Sequence, residues 1–206
     1  MKAVIFDFDG VIHDTLQLGH DVNNKLHTDM SMEDYKDIFN GNIYAHKRVL
    51  MEDQDLFFLL SGPEYEKLEI EEHIKTDLLK LKEKYLLFII SSNSEKIMHK
   101  YFEKNKSSNI FKEMLGVETH TSKTEKFKML FNKYILTKDD CIFITDTLGD
   151  ILEANRLGID TIAVDFGFHE RERLMKGSPK KIVSHFDEIL PAIEEISKSR
   201  PVPKPK

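Results

Sequence analysis

The 206-residue chain has one cysteine, Cys141, so no internal disulfide can form and no zinc cluster can be built on thiolates. That scarcity suits a reducing compartment. Long hydrophobic runs are missing too. The longest, Leu86-Leu87-Phe88-Ile89-Ile90, falls far short of the roughly 20 apolar residues that cross a bilayer, so no membrane span is expected. The chain starts with one Lys, a short apolar run and then an Asp, which makes no signal peptide, and a cytoplasmic location is expected. There is no basic excess either: 30 Lys and Arg against 36 Asp and Glu leave a net charge of −6 and an isoelectric point near 5.9. Such a surface draws no polyanion by its overall field, so nucleic acid is not an expected partner. The remaining balance, 40% hydrophobic and 32% charged, is that of a globular protein. The length suits one large domain, or one domain carrying a small insert.

Three short apolar runs stand between polar flanks: Ala3-Val4-Ile5-Phe6, Leu86 to Ile90, and Cys141-Ile142-Phe143-Ile144. A weaker fourth is Thr161-Ile162-Ala163-Val164. Runs of four to six with many β-branched members predict strands buried on both faces, as in a parallel sheet. Helical spacing fills the gaps. Ile74, Leu78 and Leu81 share one face over about 71–84, and Ile97 with Tyr101, Phe127 with Leu130, Phe131 and Tyr134, and Ile151 with Leu152 and Leu157 mark three more helices. Strand and helix alternating in this way predict a doubly wound α/β core with a mostly parallel sheet.

One interval breaks the alternation. From Thr15 to Glu71 there is helix-compatible sequence, interrupted by Gly41, Gly62 and Pro63, and no convincing strand. It predicts a small helical cap inserted after the first strand. The expected division is a core of residues 1–14 and 72–198, a cap of residues 15–71, and a disordered tail of residues 199–206 with three prolines.

In open α/β sheets ligands bind beyond the carboxyl ends of the strands. The first run ends at Asp7-Phe8-Asp9-Gly10, the second at Ser91-Ser92-Asn93, and the third at Thr145-Asp146, with Asp150 close behind. Continued strand geometry would point Asp7 and Asp9 to one side, and Gly10 frees the chain to leave the strand sharply. Two neighbouring carboxylates repel, and a cation relieves them. If Asp146 joins from a neighbouring strand end, the donors are hard oxygens without His or Cys, a set that selects Mg²⁺ over zinc. A carboxylate beside Mg²⁺ can attack phosphorus, and a second carboxyl can protonate the leaving oxygen. Any one of these Asp residues alone could simply cap a helix. Asp, Asp, Ser and Asp at three successive strand ends are much harder to explain as caps.

These residues resemble the motifs of the haloacid dehalogenase superfamily of phosphohydrolases. Asp7-Phe8-Asp9-Gly10-Val11 with Asp14-Thr15 looks like the first motif and Ser92 before Asn93 the second. Lys123, opening Lys123-Thr124-Glu125-Lys126-Phe127, is similar to the third, and Asp146-Thr147-Leu148-Gly149-Asp150 to the fourth. The resemblance implies a Rossmann-like core, Asp7 as nucleophile, and Asp9 as general acid/base. It implies Ser92, Asn93 and Lys123 as phosphoryl- and substrate-binding groups. It places Mg²⁺ on Asp7, on Asp9 through its backbone carbonyl, and on Asp146, with Asp150 holding a metal water or orienting Lys123. The expected substrate is a small phosphorylated metabolite.

Ser91 competes with Ser92, and Lys126 competes with Lys123. Lys123 has the better motif position, which leaves Lys126 expected in solvent. Thr145 stands where the family often has glycine, and Asp14 is expected to cap or hinge. The layout resembles the helical-capped, phosphoglycolate-phosphatase-like branch. Within the cap, Phe57, Phe58, Leu59 and Leu60 are expected to pack. The basic cluster His46-Lys47-Arg48 is expected on a solvated face, although it could hold a second anionic group. His13 and Phe166-Gly167-Phe168-His169 lie near strand ends, with both histidines expected in solvent. A phosphomutase is the alternative on the same scaffold. A receiver-like signalling domain fits less well, because its phosphorylated Asp belongs on a middle strand. A non-catalytic binding protein is weakened by the presence of a candidate for every chemical role.

Overall fold

A computed structural model describes residues 1–26, 30–46 and 53–200. Six parallel strands form one sheet: β1 (Ala3–Phe6), β2 (Leu86–Ile90), β3 (Glu113–Leu115), β4 (Cys141–Thr145), β5 (Thr161–Val164) and β6 (Lys181–Val183). They lie in the order β3-β2-β1-β4-β5-β6. Every pairing is parallel, with Phe6 level with Ile89 on one side and Ile144 on the other. The order reverses between β1 and β4. Their carboxyl ends, carrying Asp7 and Asp146, therefore frame the crevice where this kind of sheet binds ligands.

Alternation along the strands separates two buried layers. Val4, Phe6, Leu87, Ile89, Ile142 and Ile144 face α4 (Glu72–Lys84), α5 (Glu95–Lys104) and α9 (Ile189–Ser199). Ala3, Ile5, Phe88, Ile90, Cys141 and Phe143 face α6 (Lys123–Tyr134) and α7 (Leu148–Asn155). Strands covered on both faces must be apolar throughout, which is why their sequences form continuous runs. Ile151 of α7 packs instead with Ala163 and with Leu174 of α8 (Arg171–Met175).

The four strands expected from the sequence are present. The edge strands β3 and β6 were not foreseen, because each is three residues long and opens on a charged residue. Between β1 and α4 the described residues form α1 (Leu16–Leu26), α2 (Met32–Asp37), two short 3₁₀ turns (Ile38–Asn40 and Ile43–Ala45) and α3 (Gln54–Tyr65), with no strand among them. Gly62 and Pro63 do not break this interval as expected. Both lie inside the last turn of α3, which continues past them to Tyr65. Leu59 is 70% exposed rather than packed, since it points away from the core side of α3, while Phe57 and Phe58 are half-buried. At the other end, α9 runs through Ser199. Arg200 donates to the Cys141 carbonyl (3.0 Å) and to Asp160 (2.8 Å), so order continues two residues into the expected tail. Residues 201–206 lie outside the described residues. No helix among the described residues is long and apolar enough to cross a membrane.

Candidate active site

Beyond the sheet, Asp7, Asp9, Ser92, Lys123, Asp146 and Asp150 all line one small cavity of about 40 Å³. Four separated stretches of sequence thus converge. Asp7 continues β1, its amide donating to the Ile144 carbonyl at 2.8 Å, which ties it to β4. Its Oδ1 accepts from the Phe8 amide (2.7 Å) and its Oδ2 from Lys123 Nζ (2.7 Å). Lys123, opening α6, also donates to Asp150 Oδ2 at 2.6 Å. Burial alone would lower its proton affinity, but Asp150 and Asp7 outweigh burial and hold the ammonium above its ordinary value. Burial would in turn raise Asp150, and Lys123 overcomes it and keeps that carboxyl low.

Thr145 explains itself here. Its hydroxyl donates to the same Asp150 Oδ2 at 2.7 Å, so this side chain locks the carboxylate that holds Lys123.

Asp146 sits in a tight space. Gly10 has φ 71°, and a Cβ there or at Gly167 would overlap the Asp146 side chain. Asp146 Oδ2 accepts from the Phe168 amide at 2.7 Å, whereas Oδ1 is buried without a partner. Burial, reinforced by Asp150, pushes this carboxyl up to about 8 against the pull of the Phe168 amide. Burial likewise raises Asp7, in spite of Lys123. Two buried carboxylates, one with an orphaned oxygen, form a pocket that suits a cation. The lining acids are all Asp or Glu, with no His or Cys, which fits Mg²⁺. No group of three His, Cys, Asp or Glu side chains is gathered as a metal cage among the described residues.

Asp9 is held by three donors: Thr15 Oγ1 (2.6 Å) and Tyr65 Oη (2.5 Å) on Oδ1, and Asn93 Nδ2 (2.9 Å) on Oδ2. Asn93 is therefore an orienting partner of Asp9, and it lines a neighbouring larger cavity rather than the carboxylate chamber. Ser91 and Ser92 both line the chamber; Ser91 is buried and its Oγ accepts from the Asn93 amide (3.1 Å), whereas Ser92 is half-buried. The chain carried no signal for Tyr65, which arrives from α3, 56 positions along the sequence from Asp9.

Lys126 is not in solvent. It is fully buried, and its ammonium donates to the Ser91 and Gly116 carbonyls at the ends of β2 and β3, the latter at 3.0 Å. Burial first, and the charge of Lys123 second, lower it to about 7. One helical turn from Lys123, it faces the strand ends, where loop carbonyls need a donor. Asp14 does cap, its Oδ1 accepting from the Leu16 amide at 3.2 Å.

His13 is half-buried, its Nδ1 lying 3.1 Å from Tyr101 Oη. His169 is fully buried, contrary to expectation. Its Nδ1 accepts from the Leu148 amide (3.0 Å) and its Nε2 donates to the Lys36 carbonyl of α2 (2.9 Å), an arrangement that requires the neutral ring. Arg173 stands beside it, bridging Glu170, Asp37 and Glu33. Tyr44 Oη donates to the Ser92 carbonyl (2.6 Å) and Asn42 to Glu153 (3.2 Å), so the helical interval rests directly on the site. His46 is half-buried, and Lys47 and Arg48 lie outside the described residues.

Burial lowers His169 to about 4, below the ordinary value of 6.5, against the pull of the Lys36 carbonyl and with the charge of Arg173 adding to the drop. The unfolded chain therefore takes up this proton more readily than the folded one. The associated stability is complete above about pH 6.5 and drains away as pH falls toward 4, by about 3 kcal/mol at most. Urea unfolding at pH 7.0 and 4.5 should show a smaller acid loss for His169→Asn than for the parent chain. Parallel profiles would refute the neutral buried ring.

A family model for the haloacid dehalogenase-like hydrolases matches residues 4–164. The chain belongs to that family. Among solved structures it is similar to a predicted phosphatase from Clostridium acetobutylicum, with a TM-score of 0.77 at 18% identity over 94% of this chain and 98% of that one. It is also similar to a predicted phosphoglycolate phosphatase from Haemophilus somnus, with a TM-score of 0.74 at 20% identity over 94% and 98%. A third likeness is to a protein from Thermotoga maritima named for β-phosphoglucomutase, with a TM-score of 0.69 at 16% identity over 95% and 100%. At these identities the likeness shows the shared fold. No curated protein matches the sequence.

Proposed function

We propose that this hydrolase is a Mg²⁺-dependent phosphatase that acts on a small phosphorylated metabolite through a phosphoryl group carried on Asp7. One observation carries the reading: a buried lysine joins Asp7 to Asp150 beside a carboxylate, Asp146, that has an unpartnered oxygen. Asp7, Asp146 and the Asp9 carbonyl would hold the ion. When bound, Mg²⁺ supplies charge that keeps the buried carboxylates ionised and eases the approach of one anion to another.

The chain's own groups do the rest. An Asp7 carboxylate oxygen attacks phosphorus as the ester P–O bond breaks, and Asp9, aimed by Thr15, Tyr65 and Asn93, gives its proton to the leaving oxygen. Asp9 then takes a proton from water as that water attacks the phosphoryl group, releasing phosphate and restoring Asp7. Ser92 and Lys123 offer donors to the phosphoryl oxygens, and positioning with fixed charge supplies most of the rate. Residues 15–71 act as a cap, with Tyr44 and Asn42 excluding bulk water from the first step. The same seating would serve a phosphomutase, which hands the phosphoryl group to a sugar hydroxyl instead of water.

Hydrolysis of an aryl phosphate should fall about 100-fold or more in EDTA and recover with added Mg²⁺. Turnover indifferent to EDTA would reject the metal. Incubation with a sugar monophosphate should release free phosphate, whereas isomer without phosphate would favour the mutase.

A further inference from the structure

Lys126 is fully buried beside the active site, and the chemistry above makes no use of it. Its place is set by the way the sheet ends. β2 and β3 are parallel, and the Lys112 amide donates to the Leu87 carbonyl at 2.7 Å and the Ser91 amide to the Leu115 carbonyl at 3.0 Å. Regular steps of two residues would carry the Gly116 amide to the Ser91 carbonyl. Instead the Gly116 amide turns away to Glu95 Oε1 at 2.9 Å. The loops after β2 and β3 lie back to back here, since a Cβ on Gly116 would overlap the Asn93 carbonyl. The Ser91 carbonyl, on a buried residue, is thus left at the end of the ladder and needs another donor. Lys126 Nζ supplies it, and holds the Gly116 carbonyl as well at 3.0 Å.

The Ser91–Ser92 peptide is planar and trans, so its N–H points away from its C=O. The carbonyl faces Lys126 on the β3 side. The Ser92 amide therefore faces the β1 side, where Asp7 and Asp9 leave the sheet. Ser92 lines the carboxylate chamber together with Asp7, while Lys126 reaches the same peptide from the opposite side. A cationic donor on the carbonyl oxygen also polarises the peptide, which makes its N–H a stronger donor.

We propose that Lys126 is a positioning residue for phosphoryl transfer: it fixes the Ser91–Ser92 peptide so that the Ser92 amide points toward Asp7 and joins the Ser92 hydroxyl as a donor to the phosphoryl oxygens. This rests on the phosphatase reading above and adds to it a residue that never touches the substrate.

The test uses the full chain with Mg²⁺ and trifluoroberyllate, a mimic of a phosphoryl group on a carboxylate. Fluorine NMR shows whether the adduct forms, and amide NMR follows Ser92. In the adduct the Ser92 amide proton should move downfield, as protons do on entering a hydrogen bond to a charged acceptor. Lys126→Met should abolish most of that displacement, and should lower kcat for an aryl phosphate about tenfold or more while KM stays within about twofold. A Ser92 amide that does not move in the parent adduct would overturn the proposal, and so would a Lys126→Met chain with unchanged kcat. If Lys126→Met fails to fold, the Ser92 amide of the parent chain decides alone. Failure of any adduct to form would instead remove the phosphatase reading.

Discussion

Asp7→Asn should lower kcat by about 10⁴-fold or more, because the amide cannot attack phosphorus and no other carboxylate occupies its place. The substitution is nearly isosteric. The amide oxygen can still accept from Phe8, and Lys123 keeps Asp150 as its counter-ion. Removing the Asp7 charge also removes its repulsion with Asp150 and Asp146. The variant should therefore unfold at a urea concentration close to that of the parent. Activity is read with an aryl phosphate at saturating Mg²⁺. Turnover within tenfold of the parent, in a folded protein, would show that the phosphoryl group never passes through Asp7.

Lys123→Met should be costly twice over. It leaves Asp7 and Asp150 buried without their shared ammonium, and breaking a buried pair in this way costs about 3–5 kcal/mol of stability. It also removes a preorganised charge from the transferring phosphoryl group, worth about 10²–10³ in kcat. The two losses can be separated. In the double variant Lys123→Met/Asp150→Asn one unpaired charge is gone, so stability should return in part while activity stays low. If activity returned together with stability, Lys123 would be a structural ion-pair partner and nothing more.

The central sheet was legible because burial on both faces forces continuous apolar runs, and the acids that follow Phe6 and Thr145 mark where those runs meet solvent-accessible chemistry. The edge strands were not, since three residues beginning with Glu113 or Lys181 carry no run. The convergence of Asp7, Asp9, Ser92, Lys123, Asp146 and Asp150 on one cavity followed from motif order, because parallel strands in this topology end side by side. What escaped were contacts between distant segments. Tyr65 reaches Asp9 only because α3 folds back over the sheet, and the burial of Lys126 depends on two loop carbonyls that no local pattern announces. Leu59 misled for the opposite reason, since an apolar residue on a short helix carries no label for the side it will face. Thr145 was visible as a departure, but its meaning required the geometry of Asp150.

The first turn of α6 is bolted down at three points. Lys126 clamps the chain just past β2 and just past β3, while Lys123 reaches the chain just past β1. The two ammonium groups divide the labour: one fastens the scaffold, the other meets the Asp7 carboxylate. Any sliding of this helix along the sheet would have to tear both anchors at once, so the Lys123 ammonium stays registered to Asp7.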